Sequence, residues 1–548
     1  MSRVDPLFRD IEALAAFGPR LAGSPAERAA ADYIAEELSA AGLSPDVITF
    51  DGYVSQPSSG GRVETADSGI FSGKGVAFAL TTPPGGLQAR LASMDEPGRF
   101  DGAIALAKGL PHHAVLAEAT NRGAVAVIAI SHDDHAHYWQ ISPLWGSLSQ
   151  PGHLSRFATI PALQVRSTDG QRLEQIRKEG GSVRLFAETD AGWRRLSMPT
   201  VHIAGREPGY LLVGGHFCSW GPGASDNAAG NAVMLALARR YAQSPKPRFG
   251  LRIAWWTGHE QGGYAGSAHF SDLHHADLAK HAIGYMSVDN VGSRGAGLWL
   301  VQNTGAELAG FANSVRDAIA PPLSEAQQRF AKTLQSRADR DIPATRPARN
   351  GDQSFAGAGL PSLQVASWLD EDNPDRVPGT GLPWWWHTDE DTPDRCGRDV
   401  LEKDLDIHLA LVDGLIDSTS LPLDPRAQAD DLLNGLRSYR QAAPSIPALE
   451  QLETQARCYR DRLSASSPDE KTTLKLIKCL NEILFHALSA TEFDMTRESR
   501  ILPGLVPALH WWDASEDTRR MIEIRVARAA NRIGVALDAC NDLLDPQT

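Results

Sequence analysis

The chain has 548 residues, 42% hydrophobic and 22% charged, an ordinary globular composition with ample length to bury a large core. Its formal net charge of −14 leaves no basic excess to neutralise phosphates, which argues against nucleic acid or an anionic membrane surface as the main partner. No apolar run approaches the roughly 18 residues of a membrane-spanning helix, and five cysteines, odd in number and without metal-type spacing, read as reduced thiols in a cytoplasm.

At about 150 residues per domain, the length suggests about two to four domains. Residues 1–45 read as two helices. The first is amphipathic, with Leu7, Ile11 and Leu14 on one face, and its acids interrupt any signal-peptide core. The second begins at Ser24-Pro25-Ala26-Glu27, where Ser24 and Glu27 have capping-box spacing, and ends at Gly42. Between about 47 and 195, short β-rich runs (VITF, GVAFAL, AIALA, AVAVIAI, VRLFAE) alternate with Gly/Pro/Ser turns, and one helix near 113–122 precedes AVAVIAI. This stretch predicts a separate β-rich domain inserted into the chain.

From about 199 the pattern is α/β: the strand YLLVGG, a Gly-rich loop, a helix over 226–242, the strand LRIAWW, a short helix near 264–272 and the strand AIGYMSVDNV. Such alternation implies a mixed, mainly parallel sheet flanked by helices, with ligands at the carboxyl ends of its strands. Residues 324–350 read as a surface helix and connector, and strand character returns at LPSLQV. After about 420 the strands stop. Leu449, Leu452, Ala456, Tyr459 and Leu463 keep 3–4 spacing, as do Ile522, Val526, Ala529, Ile533, Leu537, Cys540 and Leu544, so a helical C-terminal bundle is expected. The expected units are 1–46 with 196–420, 47–195, and 421–548.

Five segments carry candidate chemistry: 214–230, 255–267, 285–292, 350–362 and 384–394. His216 directly follows an apolar strand. Asp226 sits where the Gly-rich loop turns into a helix. Glu260, Asp289 and His387 each end a strand or open a loop. A two-metal hydrolytic site needs mixed imidazole and carboxylate ligands, one carboxylate bridging ions roughly 3.5–4 Å apart. That donor set suits zinc, with cobalt and manganese as rivals.

Jointly these segments resemble the co-catalytic zinc aminopeptidases, and more closely the branch holding glutamate carboxypeptidase and the transferrin receptor. The resemblance rests on His216 after a strand, Asp226–Asn227 before a helix, His259–Glu260 ahead of Gly263, Gly266 and Ser267, Asp289 after a strand, and His387–Thr388. It implies a zinc-peptidase fold with Asp226 bridging two zinc ions, His216 and Asp289 completing one site and Glu260 and His387 the other. It also implies that 47–195 is a protease-associated (apical) domain, carried by FDGAIALAKGLPHHAVLAEATNRGAVAVIAI and IPALQVRSTDGQRL. The helical tail, with Pro503-Gly504-Leu505 and Leu509, resembles that branch's dimerisation domain and implies a homodimer.

Two positions depart from the family pattern. His259 stands where the family has a general-base Glu, and Cys218 stands where it has a supporting Asp. An imidazole can serve as the base, so His259 is the candidate catalytic residue. Trp386 and Asp352 are candidate substrate contacts, with Asn350 and Arg349 as further candidates for a substrate carboxylate. Trp220 and Trp256 also fall near the cleft. The His/Asp-rich 131–139 reads as a polar apical loop, with a second metal site as the alternative, and 274–281 as an exposed helix face. The expected activity is two-metal hydrolysis of an amide or peptide bond in a small peptide or N-acyl compound. The alternatives are a catalytically silent binding dimer of the same fold and a one-metal amidase of altered chemistry.

Overall fold

The computed structural model describes residues 3–58, 60–67, 69–335, 346–347, 351–487 and 500–545. Two sheets organise the first 420 residues. The first has seven strands, in the order Asp46–Pro57, Thr189–Ile203, Gly250–Trp256, Tyr210–His216, Ala282–Ser287, Ser362–Leu369 and Ala296–Gln302. Its four central strands are parallel. The outer strands pair antiparallel, so the expected parallel character belongs to the centre of a mixed sheet.

Alternate residues of the central strands face different helical layers. Leu211, Val213 and Ile253 pack with the helices Asp5–Ala16, Pro25–Ala40, Ala229–Ala242 and Arg398–Ile416. Leu212, Ala254 and Trp256 pack on the other face with the helix Ala265–His281. Burial on both faces explains why these strands read as unbroken apolar runs. The N-terminal helix buries Leu7, Ile11 and Leu14 as its periodicity predicts. In the second, the Ser24 hydroxyl accepts from the Glu27 N–H at 3.1 Å, and Gly42 closes the helix in the left-handed region at φ +81°.

The second sheet has nine strands between Arg62 and Phe186. Its middle is parallel, from Leu87–Ser93 through Ile104–Lys108 and Ala126–Ile130 to Ala162–Val165, and the helices His113–Asn121 and Ser167–Lys178 flank it. The long ribbon of Asp46–Pro57 paired with Thr189–Ile203 joins the two sheets and belongs to the seven-stranded one. Residues 47–57 and 189–195 thus lie in that sheet, although the sequence groups them with the insertion. Beyond residue 420, the helices Pro425–Ala442, Pro447–Ala465, Glu470–Leu484 and Glu516–Leu543 enclose a core of their own.

Four elements differ from expectation. The helix expected from 226 starts at Ala229, because Asp226 and Asn227 have non-helical backbone in the wide turn Ala224–Ala228. The short helix near 264–272 continues to His281 past a kink at His274. The strand Ala296–Gln302, at the edge of the sheet, and the helix Ala306–Ile319, which buries Leu308 and Ala312 among its apolar residues, are not among the expected elements. Of 324–350, Glu325–Gln335 is helical; 336–345 and 348–350 lie outside the described residues.

Candidate metal centre

The strand Tyr210–His216 ends on His216, and its parallel neighbours end at Trp256 and Ser287. Glu260 and Asp289 follow those ends by a few residues, so three candidate ligands arrive at one carboxyl edge of the sheet. Asp226 arrives on the turn before Ala229–Ala242. That turn leaves Gly223 at φ +55°, where a Cβ would meet the Asp226 carbonyl oxygen at 2.6 Å, so glycine is required. Gly266 serves a similar end: its Cβ would come within 2.5 Å of the Thr257 carbonyl, against which the helix Ala265–His281 packs.

The five predicted ligands converge, and all are buried. Asp226 is central: Oδ1 lies 3.0 Å from His216 Nε2 and Oδ2 lies 3.1 Å from His387 Nε2. Each imidazole nitrogen faces one further carboxylate, Asp289 at 3.5 Å for His216 and Glu260 at 3.0 Å for His387. Burial alone would disfavour both imidazolium ions. The carboxylates outweigh it, raising His216 well above the ordinary histidine value and His387 to about 10, while Asp226 is held well below the usual carboxylate range. Three buried carboxylates around two imidazoles thus form a centre that stabilises positive charge. Nitrogen and oxygen donors in three overlapping groups, two of them sharing Asp226 and the third made of His216, His259 and Glu260, fit zinc-type ions.

Each ligand has a further bond, that of Asp289 being the Asn290 N–H donated to its Oδ1 at 2.8 Å. His216 Nδ1 bonds the carbonyl oxygen of Cys218 at 2.9 Å, and His387 Nδ1 that of Tyr138 at 2.9 Å, which leaves both Nε2 atoms facing the cluster. The missing family Asp at 218 is therefore replaced by a main-chain carbonyl, with the buried Cys218 thiol beside the same ring. Trp220 Nε1 donates to Glu260 Oε2 at 2.9 Å. Asp391 accepts from the N–H groups of Ser225 and Asp226 at 2.9 and 3.0 Å. Buried Arg20 donates to the carbonyls of Leu14, Phe217, Pro222 and Gly223, clamping the loop that follows His216.

The remaining candidates separate. His259 stacks on His216 with ring centroids 4.1 Å apart, and its Nδ1 lies 2.7 Å from Asp352 Oδ2. Burial and the neighbouring His216 oppose protonation of His259, but Asp352 reverses the balance and its pKa is raised. Asp352, a candidate substrate contact, has its other oxygen bonded to the Ser267 hydroxyl at 2.7 Å. Trp386 stacks on His387 at 3.7 Å and meets Trp139 edge-on at 5.8 Å. Trp256 is buried in the core, while Arg349 and Asn350 lie outside the described residues. In the 131–139 segment, His137 bonds Asp133 and the Trp386 carbonyl oxygen, the latter at 2.6 Å, and Tyr138 N–H donates to the His387 carbonyl at 2.8 Å. That segment docks the insertion onto the His387 loop. Among the described residues, the groups able to hold a metal ion all belong to the central cluster.

Sequence reasoning missed Asp391, the Tyr138 carbonyl and Arg20. Asp391 sits among other acids in HTDEDTPD, and nothing in that run distinguishes it. The carbonyl could carry no sequence signal, because every residue has one.

The cluster at the carboxyl edge of a mixed sheet is a set of buried groups able to hold metal ions. Residues 200–412 match the model of Peptidase family M28, so this segment is similar to the M28 peptidases. A probable lipoprotein aminopeptidase of Mycobacterium tuberculosis (LpqL) is 26% identical over 51% of this chain and 56% of its own length. The aminopeptidase YwaD of Bacillus subtilis is 25% identical over 77% of this chain and 88% of its own. The chain thus spans little more than half of the first relative. The solved zinc aminopeptidase of Bacillus subtilis shares the fold, with a TM-score of 0.55, 20% identity, and 76% of this chain and 96% of that one covered.

Proposed function

We propose that the protein is a two-zinc hydrolase that cleaves an amide or peptide bond in a small peptide or N-acyl compound. The observation that carries this is the division of Asp226: its two oxygens address two different imidazoles, each beside a second carboxylate. His216 and Asp289 would hold one ion, Glu260 and His387 the other, and Asp226 both. Bound there, zinc supplies Lewis acidity to the scissile carbonyl and acidifies the attacking water. His259 takes the proton at Nε2 and returns it to the leaving amine nitrogen. Trp139 and Trp386, both half-buried beside His387, support an apolar or aromatic substrate group.

The insertion is read as a protease-associated domain. The helical tail is read as a dimerisation element, supported by the exposed Trp512, Met521, Ile524 and Val535 along it. Light scattering should give twice the 59.1 kDa chain mass; a monomer at micromolar concentration overturns the dimer. Elemental analysis of purified protein should find about two zinc per chain, with hydrolysis across a panel of aminoacyl, dipeptide and N-acyl substrates. Neither metal nor hydrolysis would leave a silent binding protein of the same fold, and one ion per chain would leave a one-metal amidase.

A further inference from the structure

His259 is held from three sides. Its ring lies flat on His216, and Tyr264 meets it edge-on with centroids 5.0 Å apart. The third hold is Asp352, whose Oδ2 sits 2.7 Å from Nδ1. A carboxylate accepts only, so Nδ1 carries the hydrogen, and in the neutral ring Nε2 keeps the lone pair. One ring nitrogen of His259 lies within 4.8 Å of ligand atoms on His216 and Glu260.

Asp352 is itself fixed. It follows Gly351 (φ +61°) and adopts φ +53°, a left-handed pair that turns its carboxylate back under the site. Oδ1 accepts from Ser267 Oγ at 2.7 Å, Ser267 and Ser354 share a bond of 2.8 Å, and Trp145 Nε1 donates to Ser354 Oγ at 2.8 Å. The line runs from a tryptophan of the inserted unit, through two hydroxyls, to an aspartate and an imidazole, and all but the ends are buried. Both Asp352 oxygens are already bonded within the protein, to His259 and to Ser267, which fits a positioning role.

We propose that Asp352 is the positioning residue of an Asp352–His259 dyad, set by Ser267, Ser354 and Trp145, that fixes His259 as the Nδ1–H tautomer and presents Nε2 as the proton acceptor. In the reaction an O–H bond of water breaks as Nε2–H forms. The same proton passes to the amide nitrogen as the C–N bond breaks, so one water is added overall and His259 is regenerated. This rests on the hydrolase reading above, and adds that the departure from a family Glu at 259 is made workable by a second residue 93 positions away.

The test is a double-mutant cycle on the zinc-loaded protein, with kcat and KM read separately. Asp352→Asn should lower kcat roughly 10²–10³-fold with KM changed less than about threefold. In a His259→Gln background the same substitution should change kcat less than about twofold. Ser267→Ala, which removes one of the two bonds to Asp352, should lower kcat about tenfold, and it serves if Asp352→Asn does not fold. A rise in KM at constant kcat makes Asp352 a substrate contact, and an equal loss in both backgrounds makes it merely structural; either overturns the dyad. A readout independent of turnover is the side-chain spectrum of 15N-histidine-labelled protein at alkaline pH. His259, assigned by its loss in His259→Gln, should be the Nδ1–H tautomer and convert to Nε2–H in Asp352→Asn. An Nε2–H tautomer in the parent protein overturns the proposal even if hydrolysis is found. An Nδ1–H tautomer in a protein without metal or hydrolysis upholds the pairing and overturns the hydrolase.

Discussion

The two halves of the centre are built differently. His216 ends one parallel strand and Asp289 follows the end of its neighbour by two residues, and His216 takes its orientation from a carbonyl two residues away. His387 and Glu260 lean on the inserted unit. The Tyr138 carbonyl orients His387, and Trp220, which bonds Glu260, stacks on Tyr138 at 5.6 Å and packs in the insertion's own core. Lys74 of the insertion also pairs with Asp389, two residues past His387. One half is therefore fixed by the sheet, while the other is complete only when the insertion is docked. Orientation of a ligand by an outer partner is worth about 10–100-fold in metal affinity, so the second half should be the one that docking controls.

The largest effect should come from removing what both halves share. Asp226→Ala should release both ions and take hydrolysis below detection, measured by elemental analysis and initial rates. Retention of one ion at full occupancy would mean that the halves do not share a carboxylate. Next, His137→Ala removes the bonds to Asp133 and to the Trp386 carbonyl that dock the insertion. It should weaken the second ion about 10–100-fold while the first titrates unchanged; equal weakening of both would erase the comparison.

A smaller effect separates the scaffolds by pH. Glu27 is buried where the second helix meets Thr257, and burial pushes its carboxyl up to about 7 despite hydrogen bonds from Thr257 and Gly23. Its folded pKa thus exceeds the ordinary 4.5. The folded state then holds the proton that the unfolded chain releases between pH 4.5 and about 7. Stability should fall as pH rises through that window and level off above it. Glu27→Gln should flatten this fall in thermal melts by an amount on the order of 1–3 kcal/mol. The smallest effect is expected at Cys218. Because the main-chain carbonyl at 218 bonds His216 Nδ1 and survives the substitution, Cys218→Ala should leave metal content unchanged and turnover within about twofold. A tenfold loss would assign the thiol the supporting role.

How much of this was legible in sequence follows from what each contact is made of. His216, Asp226, Glu260, Asp289 and His387 are legible because their segments jointly resemble the co-catalytic zinc aminopeptidases; periodicity marks only the strand ends and helix start that frame them. The N-terminal helices were legible from the spacing of Leu7, Ile11 and Leu14 and from the Ser24 cap. The supports were not. Trp145, Ser354 and Ser267 come from three distant segments, and hydroxyls of this kind occur throughout the chain. Asp352 was visible as a polar residue near the pocket, but its partner was not, because the left-handed turn at 351–352 decides where its carboxylate points. The junction of the insertion escaped for another reason: the ribbon Asp46–Pro57 with Thr189–Ile203 continues one sheet while leading to the other, and strand composition does not change along it.

Both imidazoles of the centre take their orientation from peptide carbonyls, those of Cys218 and Tyr138. No exchange of side chain deletes a peptide carbonyl, so these supports tolerate point substitution at the very residues that provide them. What they do not tolerate is a change in chain length. One residue added or removed between 216 and 218, or in the loop that brings Tyr138 to His387, would move the carbonyl off the ring. The metal centre is buffered against spelling errors in its supports and exposed to errors of spacing, the reverse of a site propped by an aspartate side chain.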